Sequence, residues 1–132
     1  IMDEVLKFLT DNKVFYLATV NGDAPALRPF GFAMKYDNKL YFCTANTKNV
    51  YKQLKANPKM QISATSPEGK WLRLNGKAVF NTSKESQETV LNTMPMLKNM
   101  YKVGDPTFET FYIDQADATF YDMQGNSHNV KF

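Results

Sequence analysis

Apolar positions change their period several times along this chain, and each change marks an element. From Met2 to Asn12, Val5, Leu6, Phe8 and Leu9 recur at the spacing of one helical face, while Asp3 and Glu4 suit the positive end of a helix dipole; a short amphipathic helix is expected. Val14 to Val20 is instead a compact β-branched and aromatic run, closed by Asn21-Gly22-Asp23, whose Asn-Gly pair favours a tight hairpin turn. Ala26 to Tyr36 reads as the returning strand, with Pro25 and Pro29 requiring an edge or a bulge. Leu40 to Thr44 follows as a third strand after a turn at Asp37-Asn38.

The period then becomes helical again over Thr47 to Asn57, where Val50, Tyr51 and Leu54 share a face, Lys48, Lys52 and Lys55 point elsewhere, and Asn57-Pro58 ends the helix. Met60 to Thr65 and Trp71 to Asn81 alternate as strands around the turn cluster Ser66-Pro67-Glu68-Gly69. In the second of them Trp71, Arg73, Asn75 and Lys77 lie on one face, with Leu72, Leu74 and Gly76 on the other. Thr82 or Ser83 can cap a helix running to about Thr93, which Met94-Pro95 breaks. A short helical piece over Met96 to Tyr101, a loop at Gly104-Asp105-Pro106, strands over Phe108 to Ile113 and Ala116 to Met123, and an edge strand over Asn129 to Phe132 complete the chain. Hairpin connections favour an antiparallel sheet over βαβ units, so the class is mainly β with flanking helices (α+β); a closed barrel and an α+β sandwich both satisfy the order.

Composition narrows the function. The 132 residues, 43% hydrophobic and 14% aromatic, suffice for one packed domain spanning residues 1–132. A net charge of +3 comes from 16 basic and 13 acidic residues mixed along the chain, without a dense basic arm, so no nucleic-acid partner is expected. No apolar run approaches the roughly 20 residues of a membrane span, and the start lacks the basic-then-apolar order of a signal peptide. No membrane partner and a cytoplasmic location are therefore expected. A single cysteine, Cys43, and a single histidine, His128, allow no internal disulfide and no Cys/His metal cluster. Neither a Gly-x-Ser-x-Gly elbow, a Walker loop nor a Gly-x-Gly-x-x-Gly turn is present, which argues against a nucleophilic triad and against nucleoside triphosphates.

One segment has the makings of an anion site. Thr44-Ala45-Asn46-Thr47-Lys48-Asn49 joins a strand end to a helix start, where free backbone N–H groups and the dipole favour negative charge. Lys48 opposes that dipole unless an anion lies nearby, and Arg28 on the neighbouring strand could clamp a phosphate with its planar fork. Trp71 and Arg73 share a face that could stack on a flat ring. Each residue also has a plainer reading: a solvated lysine beside an ordinary helix cap, an exposed strand arginine, a packed tryptophan.

Taken together, Val14 through Val20, Pro25 through Phe30, Tyr41-Phe42-Cys43-Thr44, Lys48 through Pro58 and Trp71 through Phe80 resemble the pyridoxamine 5′-phosphate oxidase-like, FMN-binding split β-barrel family. The resemblance implies a six-stranded antiparallel Greek-key barrel with flanking helices, and a homodimer with FMN at its interface. It implies Arg28 and Lys48 as phosphate ligands assisted by Thr47 and Asn49, with the backbone near Pro29, Phe30, Thr44 and Ala45 along the isoalloxazine. Trp71 and Arg73 would reach in from the partner subunit. The family's pyridoxamine 5′-phosphate oxidases are longer and carry a C-terminal substrate segment with arginine and histidine, whereas this chain ends Ser127-His128-Asn129-Val130-Lys131-Phe132. Vitamin B6 oxidation is therefore not the expected reaction. The short form is similar to nitroimidazole-resistance-type flavoproteins, which implies an FMN-dependent oxidoreductase with a small-molecule substrate and an external electron donor. A haem-binding barrel, with His128 or Tyr121 as axial ligand, and a non-catalytic flavin-binding or sensor module are the alternatives, and deazaflavin can replace FMN in some relatives. No catalytic acid or base is assigned.

Overall fold

In a computed structural model describing residues 1–132, the chain runs α1 (Met2–Asp11), β1 (Phe15–Asn21), β2 (Ala24–Phe30), β3 (Met34–Tyr36), β4 (Lys39–Ala45), α2 (Asn49–Ala56), β5 (Lys59–Thr65) and β6 (Trp71–Phe80). It continues through α3 (Lys84–Thr93), a 3₁₀ segment (Pro95–Asn99), β7 (Phe108–Tyr121) and β8 (Ser127–Lys131). Every strand pairing is antiparallel.

The strand order β2-β1-β5-β6-β7-β4-β3 places β2 and β3 at opposite ends of one sheet, although they are successive in the chain. The sheet therefore curls until Gly31-Phe32-Ala33 joins its two edges covalently, without ladder hydrogen bonds between them. This corrects the expectation of a single strand over Ala26 to Tyr36. Phe32 and Ala33 are buried at that crossing, so their apolar character reflects burial in the barrel's seam, which an alternation pattern cannot separate from strand. With β2 and β3 counted as one excursion, six strands form the barrel, as the split-barrel fold requires, and β8 adds to β7 off the main path.

A second correction concerns the C-terminal strands. Phe108 to Ile113 and Ala116 to Met123 form one strand, β7, that ends at Tyr121. Its pairing with β6 shifts between Asn75 and Lys77, and Gln115 takes a left-handed φ of 53°. Gln115 and Ala116 together face Gly76, a bulge that sharpens the bend of the barrel. The Ala116 N–H donates to the Phe132 carbonyl at 2.9 Å and the Phe132 N–H returns the bond at 3.0 Å, so the bulge also anchors the C-terminal residue. The last strand begins at Ser127, two residues before the expected edge strand.

Inward residues of the barrel, among them Phe15, Leu17, Phe42, Ile62, Leu72, Leu74, Phe111 and Ala118, meet Val5 and Leu9 of α1 in the main core. A second core of Phe32, Tyr41, Val90, Leu91, Tyr101 and Phe108 packs α3 and the chain after it against β4 and β7. Ser83, not Thr82, caps α3: its hydroxyl accepts from the Ser86 N–H while the Ser86 hydroxyl accepts from the Ser83 N–H, a reciprocal pair that satisfies two orphan donors. Thr82 is turned instead to the Glu109 carboxylate at 2.7 Å.

Candidate functional site

The split in the barrel opens a cleft of about 380 Å³. Pro29, Phe30, Gly31 and Phe32 form one wall, where β2 leaves the sheet; Cys43, Thr44 and Lys48 form the floor, where β4 runs into α2; Met94, Met96, Leu97, Met100 and Tyr101 form the outer wall. Lys48 is the only charged residue among them.

Lys48 occupies the N-cap position of α2 in an extended conformation, with φ −87° and ψ 152°. No side chain caps this helix and no acidic residue lies in its first turn, so the donors at its start and the Lys48 ammonium add in the same sense. The four ion pairs of the molecule are Lys7–Asp11, Lys35–Asp3, Lys39–Asp37 and His128–Glu4; none involves Lys48 or Arg28.

Arg28 sits on the other flank of α2. Its guanidinium donates to the Leu17 carbonyl at 3.2 Å, the Thr19 hydroxyl at 2.8 Å and Gln53 Oε1 at 2.6 Å, and the Thr19 hydroxyl also donates to Gln53 Oε1 at 2.6 Å. Partial burial lowers its pKa from the ordinary arginine value, with no carboxylate to offset the effect. All its partners are neutral acceptors, so the charge is positioned but not neutralised. Two of the five N–H donors remain for a ligand.

The residues singled out in the sequence are thus only partly brought together. Pro29, Phe30, Thr44 and Lys48 line the cleft. Asn49 faces the opposite side of α2, a hollow of about 200 Å³ bounded by Gly22, Lys52 and Gln53, the last of which holds Arg28. Thr47 is exposed in the turn, and Ala45 is buried opposite Phe108 at the end of β4. Trp71 and Arg73 stand apart on the outward face of β6: the Trp71 ring stacks on Tyr121 at 4.2 Å and 17°, and the Arg73 guanidinium lies 5.1 Å from the Trp71 ring centre and 5.9 Å from that of Tyr121. Within one chain they do not meet Lys48. The histidine considered as an axial ligand is engaged elsewhere, with His128 Nε2 2.9 Å from Glu4 Oε1 and its ring stacked on Phe120.

Sequence reasoning missed the outer wall. Met94 reads as part of a helix break and Met96 and Met100 as part of a short helical piece, which is a 3₁₀ segment over Pro95–Asn99, and a segment that short gives no signal of which way its side chains face. It also missed Cys43 as a cleft residue. Burial pushes its thiol up to about 12, against the pull of the Lys48 cation, so the thiol is a neutral part of the floor.

A family model described as pyridoxamine 5′-phosphate oxidase matches residues 1–124, and the chain belongs to that family. A NimC/NimA family protein from Clostridium acetobutylicum is 39% identical over 99% of this chain and 92% of its own, with a TM-score of 0.96. Two more distant structures share the fold. One is a pyridoxamine 5′-phosphate oxidase-related, FMN-binding protein from Nostoc punctiforme, 16% identical over 98% of this chain and 95% of its own, TM-score 0.63. The other is a heme-binding protein from Mycobacterium smegmatis, 13% identical over 94% of this chain and 55% of its own, TM-score 0.75. No curated protein matches the chain.

Proposed function

We propose that this chain is an FMN-dependent oxidoreductase, active in the cytoplasm as a homodimer, that passes electrons between an external donor and a small molecule. The observation that carries this reading is an apolar cleft ending at an unpaired Lys48 on an uncapped helix start, with an un-neutralised Arg28 on the other flank of the same helix. A flavin mononucleotide matches both halves, since its phosphate dianion needs cations and backbone donors while its ring needs an apolar slot. The FMN-binding description of the Nostoc protein and the NimC/NimA relationship of the Clostridium protein agree with it.

In this reading Lys48 and the first-turn N–H groups of α2 take the phosphate, with Thr47 and Asn49 adding hydroxyl and amide donors and Arg28 contributing its two free N–H groups. Pro29, Phe30 and Thr44 lie along the ring. When bound, the flavin supplies the one- and two-electron chemistry, and the protein's part is to position the ring, exclude water and set its electrostatics. Trp71 and Arg73 enter the site from a second copy, a placement supported by the outward-facing stack of Trp71 on Tyr121 with the Arg73 guanidinium beside it, a flat cationic surface held ready for a ring.

The test is the visible spectrum of protein purified without added cofactor, followed by mass spectrometry of what heat releases. Flavin bands with released FMN are expected. A Soret band would move the assignment to haem, and a colourless protein that takes up no added FMN would remove the reading.

A further inference from the structure

Met94, Met96 and Met100 crowd into seven residues, and all three line the cleft. Elsewhere methionine behaves as its apolar side chain favours: Met2, Met34 and Met60 are buried in the two cores. Met96 and Met100 instead leave 70% and 61% of their surface exposed. Their segment is held from below, because Leu97 packs on the second core and its carbonyl accepts the Met100 and Tyr101 N–H groups at 3.0 Å. Two thioethers are thus fixed at the cleft with their side chains largely open. A third sulfur shares the site. Cys43 lies in the floor, but burial keeps its thiol protonated, and it is the thiolate that peroxides oxidise readily. A thioether has no proton to lose, so exposure governs its oxidation.

Resting on the FMN reading above, we infer that Met96 and Met100 are modification sites, oxidised to sulfoxides by hydrogen peroxide formed at the cofactor, and that the modification loosens the cleft's hold on its flavin. Dioxygen that takes two electrons and two protons from a reduced flavin leaves as hydrogen peroxide, so the oxidant arises beside these side chains. The thioether sulfur donates an electron pair to one peroxide oxygen. The S–O bond forms as the O–O bond breaks, and after a proton shift the other oxygen leaves as water; sulfur has lost two electrons and peroxide has gained them. The product is polar where the thioether was apolar. A wall that meets Pro29, Phe30 and Phe32 around an apolar slot then carries two S=O dipoles, which a flat ring cannot pair. Methionine sulfoxide reductases reverse the change, so the wall registers electrons lost to dioxygen and can be reset.

The chain carries its own control in Met123, which is 78% exposed in the turn after β7, lies against Gly69 and has no part in the cleft. The experiment uses the full chain loaded with FMN, whose uptake is first read from the flavin bands. In the dark, with catalase present to destroy escaping peroxide, the protein is reduced by dithionite and reoxidised in air over repeated cycles. Peptide mass spectrometry then reads added oxygen at each methionine, and fluorescence titration reads the FMN Kd after the cofactor is stripped and returned. At least about tenfold more sulfoxide is expected at Met96 and Met100 than at Met123, with the FMN Kd raised at least about threefold and restored by methionine sulfoxide reductases. Peroxide added to flavin-free protein without catalase should oxidise the three within about threefold of one another; the same tenfold bias there would make local reactivity, not the cofactor, its cause and overturn the inference. Met96→Leu with Met100→Leu replaces two exposed side chains, so its thermal unfolding should match the parent, and its FMN Kd should survive the cycles unchanged. Even oxidation of the three methionines by the flavin cycles, an unchanged Kd in the oxidised parent, or an equal rise in the leucine variant would each overturn the inference. A protein that takes up no FMN fails the cofactor reading and this inference with it, whereas FMN uptake with even oxidation fails the inference alone.

Discussion

Lys48 and Arg28 have the same charge and different jobs. Lys48 is exposed and its ammonium has no partner, so on the FMN proposal Lys48→Ala should leave stability within about 0.5 kcal/mol while raising the FMN Kd by at least tenfold, read by flavin fluorescence titration. Arg28 ties β2 to β1 and α2 through Thr19, Leu17 and Gln53. Arg28→Ala is therefore expected to cost about 1–2 kcal/mol in urea unfolding even without cofactor, a structural role that a strand arginine does not advertise in sequence. Cys43 offers a test by pH. Its folded pKa of about 12 lies above the ordinary 9.0, so the folded thiol keeps a proton that the unfolded chain loses between those values. The unfolded state gains by ionising, and stability should fall as pH rises from about 9 toward 12. Cys43→Ala should flatten that part of the curve relative to the parent, as compared by denaturant midpoints at about pH 8 and pH 10.5.

Helices and hairpins were largely legible because their signals are local. The tight hairpin after β1, the α2 face of Val50 and Leu54, and the Ser83 cap all follow from residues within a few positions of one another, although the hairpin turns on Gly22-Asp23 rather than on the Asn-Gly pair, because Asn21 still pairs with Ala24. The bulge in β7 was not legible, because it depends on a neighbour far along the chain. Gly76 has no room for a side chain: a Cβ would run into the Ile113 side chain and come within 2.9 Å of the Asp114 carbonyl oxygen. Gly76→Ala is expected to cost about 1–3 kcal/mol, since the bulge must open or Ile113 must leave its rotamer, and differential scanning calorimetry would register a lower Tm. In the sequence the same glycine was merely the apolar-side member of an alternating strand.

The outward face of β1 and β2 carries exposed Tyr16 and Leu27, at 49% and 68%, and Trp71 and Arg73 stand outward on the same sheet two strands away. On the homodimer proposal this face meets its copy, and each barrel completes the other's flavin site. Tyr16→Lys with Leu27→Lys should then shift the protein to monomers in sedimentation velocity and weaken FMN binding together; dimers that persist with full FMN affinity would place the contact elsewhere.

Periodicity, turn chemistry and the β4–α2 junction were enough to read a mainly β domain with helices at the expected places and to single out Lys48 as a candidate anion ligand, because those features are written in neighbouring residues. The closure of the barrel through Gly31-Phe32-Ala33, the meeting of Pro29 and Phe30 with a methionine wall more than sixty residues downstream, and the separation of Trp71 and Arg73 from Lys48 emerged only from the folded chain. Each depends on which strands become neighbours across long loops, and that pairing is set by the whole core finding one mutually consistent packing, which no local window of the sequence contains.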